Sequence, residues 1–191
     1  MAVFDFQAEK AFGEKFIFED RKLILEKAGF RFLNVRNQDV PTYVMHGAAD
    51  LGVVGLDVLE EKEYDLIKLL DLKLGRCKVA FGLRAGEKLN FDKSKITIAT
   101  KHEKIAKKYF EQKAMAVEII KLYGSIELAP LVGLCDCIVD IVETGETMKQ
   151  NGLEVGPTIM ETTAHLIANK NSFYAKKDLI FDLKDKLEKF L

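Results

Sequence analysis

ITIATKHEKIAKKYFEQKAMAVEIIKLYGSIELAPLVGLCDCIVDIV, residues 96–142, decides the fold. Its apolar positions alternate over 96–100. They then step at helical spacing over 102–113, where Ile105, Ala106, Tyr109 and Phe110 share one face and the lysines take the other. Alternation returns over 117–122, and a buried run over 137–142 closes the stretch. Strand, helix, strand, helix, strand without a long loop predicts parallel strands with helices on both faces. Ligands of such sheets bind at the carboxyl ends of the strands.

Outward from this segment the same switching continues. Strands are expected at 22–26, 30–35, 51–55, 66–72 and 77–83, and VGPTIMETTAHLIANK, residues 155–170, is strand-like. Asp39 is placed to cap a helix whose first turn holds Pro41, where proline's missing N–H costs nothing. Residues 177–191 read as an amphipathic helix, with Leu179, Leu183 and Leu187 four apart and Phe190 and Leu191 widening the stripe. The opening MAVFDFQAEKAFGEKF, residues 1–16, also reads as a helix. In LKLGRCKVAFGLRAGEKLN, residues 72–90, two strand-like runs meet near Gly75 and a polar loop follows. This suggests an α/β chain of two lobes: an inserted lobe of 80–160, and an outer lobe of 1–79 plus 161–191. Parallel-rich sheets flanked by helices and a ligand site in the cleft between lobes are expected.

Composition narrows the function. With 29 basic and 30 acidic side chains among 191 residues, the formal charge of −1 supplies no field to recruit nucleic acid or an anionic membrane, so any polyanion must be bound locally. No apolar run reaches the ~18 residues of a membrane span, and the acid-bearing opening does not read as a signal peptide. Cys77, Cys135 and Cys137 form no C-x-x-C pair, and their odd number argues against a disulfide framework. Buried thiols in a reducing cytoplasm are expected.

The phosphate chemistry is expected in DCIVDIVETGETMKQNG, residues 136–152. A buried strand runs into Glu143-Thr144-Gly145-Glu146-Thr147, where a helix starts that stops at Asn151-Gly152. Gly145 permits close backbone approach, Thr144 and Thr147 offer hydroxyls, and free N–H groups at a helix start complete a cradle for phosphate. Asp140 and Glu143 flank it. Carboxylates repel a bare phosphate but accept from sugar hydroxyls, so the pattern suits a sugar phosphate. A simple capped turn is the competing reading, and no Walker G-K-[ST] follows.

Two longer stretches, DVPTYVMHGAADLGVVGLDVLEE (39–61) and IIKLYGSIELAPLVGLCDCIVDIVETGETMKQNGL (119–153), resemble signature segments of the ATP phosphoribosyltransferase family. With GRCKVAFG (75–82) and the strand-like 155–170, the similarity spans about 21–170. The resemblance implies a two-lobed fold like type-II periplasmic binding proteins. It implies transfer of a phosphoribosyl group from phosphoribosyl pyrophosphate (PRPP) to N1 of ATP, the entry to histidine biosynthesis. It assigns the PRPP loop to Asp140, Ile141, Val142, Glu143, Thr144, Gly145, Glu146 and Thr147, with Asp140 and Glu143 as the catalytic carboxylates. Magnesium is expected to arrive on the substrate, without a protein metal site. The chain resembles the short form of the family, which relies on a regulatory subunit similar to histidyl-tRNA synthetase. Family members open with a strand ending in Pro-Lys-Gly-Arg. This chain has no such motif, so the outer lobe is expected to lack that strand.

Arg21, Arg76 and Arg84 are candidate phosphate or ATP contacts, their guanidinium forks matching phosphate oxygens, against the plainer role of solvated surface groups. Asp50, between glycines and before a strand, is an ATP contact or a turn stabiliser. Lys101 follows a strand and precedes a helix, as a substrate contact would. His46 reads as structural, and Ser125 of Tyr123-Gly124-Ser125 as a helix cap. Two other functions fit the fold: a solute-binding module and a non-catalytic paralogue.

Overall fold

The computed structural model describes residues 17–18 and 21–191, so the helix expected over 1–16 lies outside the described residues. The chain divides into two compact units, one made of the residues up to Gly75 together with Thr163–Leu191, the other of Arg76–Thr162. The unit boundaries fall a few residues from 79/80 and 160/161, because whole strands stay with their own sheet.

The first unit opens with a hairpin of β1 (Ile24–Lys27) and β2 (Phe30–Leu33). Both residues of its two-residue loop, Ala28 and Gly29, have positive φ, as a primed turn matching the strand twist requires. A 3-10 turn, Asn37–Asp39, runs straight into α1 (Val40–Met45), with Pro41 in its first turn. The expected Asp39 cap is not made: Asp39 is itself helical, at φ −96° and ψ −18°, and its carboxylate bonds no helix N–H. A capping side chain needs the extended backbone that this turn denies. β3 (Leu51–Gly55), α2 (Leu56–Lys62) and β4 (Ile67–Asp71) follow.

The second unit holds a five-stranded sheet. Its elements are β5 (Cys77–Arg84), β6 (Ile96–Thr100), α3 (Glu103–Gln112), β7 (Val117–Lys121), α4 (Leu128–Leu131), β8 (Cys137–Val142), α5 (Glu146–Gln150) and β9 (Leu153–Thr162). The strand order is β7-β6-β8-β5-β9. β6 pairs in parallel with β7 and β8, as the alternation over 96–142 predicts. β5 is antiparallel to both β8 and β9. Helices cover both faces. Ile105, Ala106 and Phe110 of α3 pack with Val79, Phe81, Ile98 and Val139, while Ala129 of α4 and Met148 of α5 pack with Ala80, Ala99, Ile138 and Leu153. Cys135 and Cys137 lie in these cores as free thiols. Burial first, with the charge of Asp136 nearby, pushes the Cys137 thiol up to about 12.

Back in the first unit, β10 (Ala164–Ala168) lies between β3 and β4, antiparallel to each, followed by α6 (Lys170–Ala175) and α7 (Lys177–Glu188). The strand-like run over 155–170 is thus two strands in two sheets, divided at Thr163. Among the described residues parallel pairing is confined to β7-β6-β8, so the five-stranded sheet is mixed and not parallel-rich, and the first unit's sheets are antiparallel. Ile180 and Leu187 of α7 are buried, and Leu183 and Leu187 pack with Leu72 and Leu166 of the unit's own sheet region. Leu179 is more than half exposed, so the inward stripe starts one residue later than expected. No helix among the described residues is long and apolar enough to cross a membrane.

Candidate active site

β8 delivers the site. Val142 is buried, anchoring the strand end, while Glu143, Thr144, Glu146 and Thr147 are exposed. The turn rests on Gly145, at φ +82°, where a Cβ would stand 2.8 Å from Val155 Cγ2. Both the dihedral and the close approach of β9 demand glycine. The Thr144 hydroxyl accepts from the Glu146 N–H at 3.3 Å, and the Lys149 N–H donates to the Gly145 carbonyl as α5 begins. α5 is only five residues long, so its dipole adds little, and any phosphate grip comes from amides and hydroxyls.

Asp140, two residues before the strand ends, meets the carboxyl end of β6. Lys101 Nζ lies 3.1 Å from Asp140 Oδ1, and His102 Nε2 lies 3.7 Å from the same oxygen. Two residues considered separately in the sequence are therefore partners. They meet because Thr100 and Val139 are in register on adjacent parallel strands. Thr100, which sequence reasoning passed over, is completely buried: its hydroxyl donates to the Val139 carbonyl at 2.6 Å and accepts from the His102 N–H at 2.8 Å. Alternation hides it, since a strand threonine on an apolar face reads as a valine.

The antiparallel pairing of Lys78 with Val142 puts Arg76, exposed just before β5, at this same end of the sheet. Arg84 sits at the opposite end, with Nε 3.2 Å from Glu87, and so is removed from the loop. Arg21 and Asp50 belong to the other unit. Arg21 is exposed. Asp50 bonds Lys176 at 2.7 Å, and hydrogen bonds from Lys176 and then Ser172 hold its carboxyl below the ordinary range, tying the start of β3 to α6 and the residue that follows it. His46 is an exposed helix end whose N–H reaches the Thr42 carbonyl at 3.1 Å. Ser125 does not cap α4: it has φ +49°, and its carbonyl accepts from Leu128 while Glu127 occupies the cap position.

The fold is that of a mixed α/β chain in which a glycine turn follows a central strand, with a paired carboxylate and lysine beside it. The fold matches the substrate-binding protein of an amino acid ABC transporter with a TM-score of 0.58, covering 82% of this chain and 71% of that one, at 14% identity. That is a likeness of fold alone.

Sequence relationships decide further. The family described as ATP phosphoribosyltransferase matches residues 36–189, which include every candidate above except Arg21. A protein of Wolinella succinogenes named ATP phosphoribosyltransferase is 64% identical over 181 residues, 95% of this chain and 88% of its own length. One of a Sulfurovum species with the same name is 64% identical over 177 residues, 93% and 86% of the two. The ATP phosphoribosyl transferase (HisG:HisZ) complex from Thermotoga maritima gives a TM-score of 0.81 at 35% identity, covering 96% of this chain and 90% of that one. The chain belongs to the ATP phosphoribosyltransferase family. It is a pentosyltransferase that condenses ATP with PRPP to N1-(5-phosphoribosyl)-ATP and pyrophosphate, the first step of histidine biosynthesis. The solute-binding alternative therefore keeps the fold and loses the function.

Proposed function

We propose that in this reaction the loop Glu143–Thr147 binds the 5′-phosphate of PRPP, through its backbone amides and the Thr144 and Thr147 hydroxyls. Asp140 and Glu143 accept from the ribose hydroxyls. The observation that carries this reading is the Gly145 turn, whose positive φ and tight packing on Val155 leave the hydroxyl side of the loop exposed. Lys101 and Arg76, at the same end of the sheet, supply positive charge for the polyphosphates.

The step needs little covalent help. N1 of adenine attacks the anomeric carbon, the new N–C bond forms as the C–O bond to pyrophosphate breaks, and the pyrophosphate leaves with the electron pair. Charge develops positive on the sugar and negative on the leaving group, so a carboxylate near the ribose and cations near the pyrophosphate stabilise what changes most. Asp140 and Glu143 earn the word catalytic in that sense alone. Magnesium suits oxygen donors. The Asp140 carboxylate is already engaged by Lys101, so the ion would ride on the PRPP pyrophosphate with Glu143 as the available carboxylate. When bound it neutralises leaving-group charge. Asp50, tied to Lys176, and Arg21, outside the family match, are weaker ATP contacts.

The Thermotoga maritima relative is a HisG:HisZ complex, which supports a hetero-oligomer here with a regulatory subunit resembling histidyl-tRNA synthetase. The reading places the enzyme in the cytoplasm, with its nucleotide substrates. The test is formation of phosphoribosyl-ATP from ATP, PRPP and magnesium, with and without that partner. Product is expected, abolished by chelation, and inhibited by histidine only with the partner present. Saturable micromolar histidine binding by this chain alone would contradict the division of labour.

A further inference from the structure

We propose that Thr100 is a positioning residue: its one buried hydroxyl holds the Asp140–Lys101 pair in the geometry that receives the ribose. The inference rests on the sugar-contact reading of Asp140. Thr100 touches no solvent, so it does not meet substrate itself. Its hydroxyl donates to the carbonyl of Val139, the peptide from which Asp140 extends, and accepts from the N–H of His102, the residue after Lys101. One oxygen therefore fixes the backbone on both sides of the ion pair. The register Thr100↔Val139 stops the parallel ladder at this point, so beyond it the ladder no longer holds β6 and β8 together and the hydroxyl replaces it. The His102 ring, almost fully buried, lies 3.7 Å from Asp140 Oδ1 and packs beside the pair. A site whose supports are fixed by buried hydrogen bonds keeps its geometry when ligand arrives.

The experiment is calorimetry of magnesium-PRPP on wild type, Thr100→Val, Thr100→Ser, Asp140→Asn and the double variant Thr100→Val/Asp140→Asn, with inorganic phosphate as the second probe. Thr100→Val keeps the shape and deletes the hydroxyl. It is expected to weaken PRPP by roughly tenfold, the scale of a lost buried hydrogen bond, with phosphate affinity unchanged. Thr100→Ser restores the hydroxyl and should stay within about threefold of wild type. Because Thr100 acts through Asp140, the double variant should bind PRPP as Asp140→Asn does. If the two losses multiply, or phosphate weakens equally, Thr100 merely supports the fold and the proposal falls. If Asp140→Asn weakens PRPP and Thr100→Val does not, the proposal falls while the sugar-contact reading stands. If Asp140→Asn binds PRPP like wild type, that reading itself falls. Should the valine variant not fold, Thr100→Ala against Thr100→Ser carries the same comparison.

Discussion

At the scale of single residues the site is a set of pairings, and only part of it was legible in advance. E-T-G-x-T after a buried strand offers Thr144, Gly145 and Thr147 either as a phosphate cradle or as a plain capped turn, and the pattern leaves both readings open. The Lys101–Asp140 pair is not legible, since the two lie far apart in the chain and only the strand register brings them to 3.1 Å. Ser125 misled for a local reason: a serine two residues before a glutamate imitates a capping motif, while the backbone there turns left-handed. The two carboxylate and hydroxyl roles separate under substitution. Asp140→Asn should weaken PRPP yet leave inorganic phosphate unchanged or tighter, because one negative charge near the anion is gone. Thr147→Ala should weaken both, by about 1–3 kcal/mol, as a donor to the phosphate is lost. Titration calorimetry with the two ligands checks both. Equal losses for both ligands in Asp140→Asn would reduce Asp140 to a holder of loop shape.

Elements are legible where periodicity is sustained and obscure where tertiary pairing decides. β3, β6 and β8 carry the bounds expected of them, because each is a short apolar-rich run entered from a charged residue, Asp50, Lys95 or Asp136. β9 and β10 read as one strand-like run, although the lobe boundary expected at 160/161 falls inside it, two residues before the handover, since pairing partners are set by tertiary structure and not by the apolar pattern. The antiparallel placement of β5 between β8 and β9 escaped for the same reason, and it matters, because it brings β5 under α5. Gly82 of β5 is the contact point: a Cβ there would meet Ile138 Cγ1 at 2.6 Å and Met148 Sδ at 3.1 Å. Gly82→Ala is therefore expected to destabilise the protein by roughly 1–3 kcal/mol through overpacking. Denaturant melts of variant and wild type measure this. An unchanged midpoint would mean that α5 lifts away freely, and the loop it follows would not be held as described.

For the whole molecule, family resemblance reaches the reaction that composition and periodicity alone do not name. Acid stability follows from three carboxyls. Asp50 is lowered by its Lys176 and Ser172 bonds. In Asp71 and Asp136 burial pulls upward but is outweighed, by the Lys73 N–H and Thr163 hydroxyl in the first and by Lys93 and the Thr97 N–H in the second. Each folded value lies below the ordinary 3.8, so their stabilisation is complete above that pH and is lost as pH falls through the lower folded values. The melting temperature should hold from neutral pH to about 5 and drop below about 4, less steeply in Asp136→Asn. A scan with identical acid slopes for variant and wild type would remove Asp136 from that account. The central claim, that the loop closing β8 binds the phosphate of PRPP, is tested most directly by calorimetry of magnesium-PRPP on wild type and Gly145→Val, with melts of both. The variant imposes a β-branched side chain at φ +82° and drives it against Val155. Saturable PRPP binding by wild type, lost in the variant by far more than any fall in its stability, is the predicted result. Unchanged PRPP affinity in a folded Gly145→Val would contradict it.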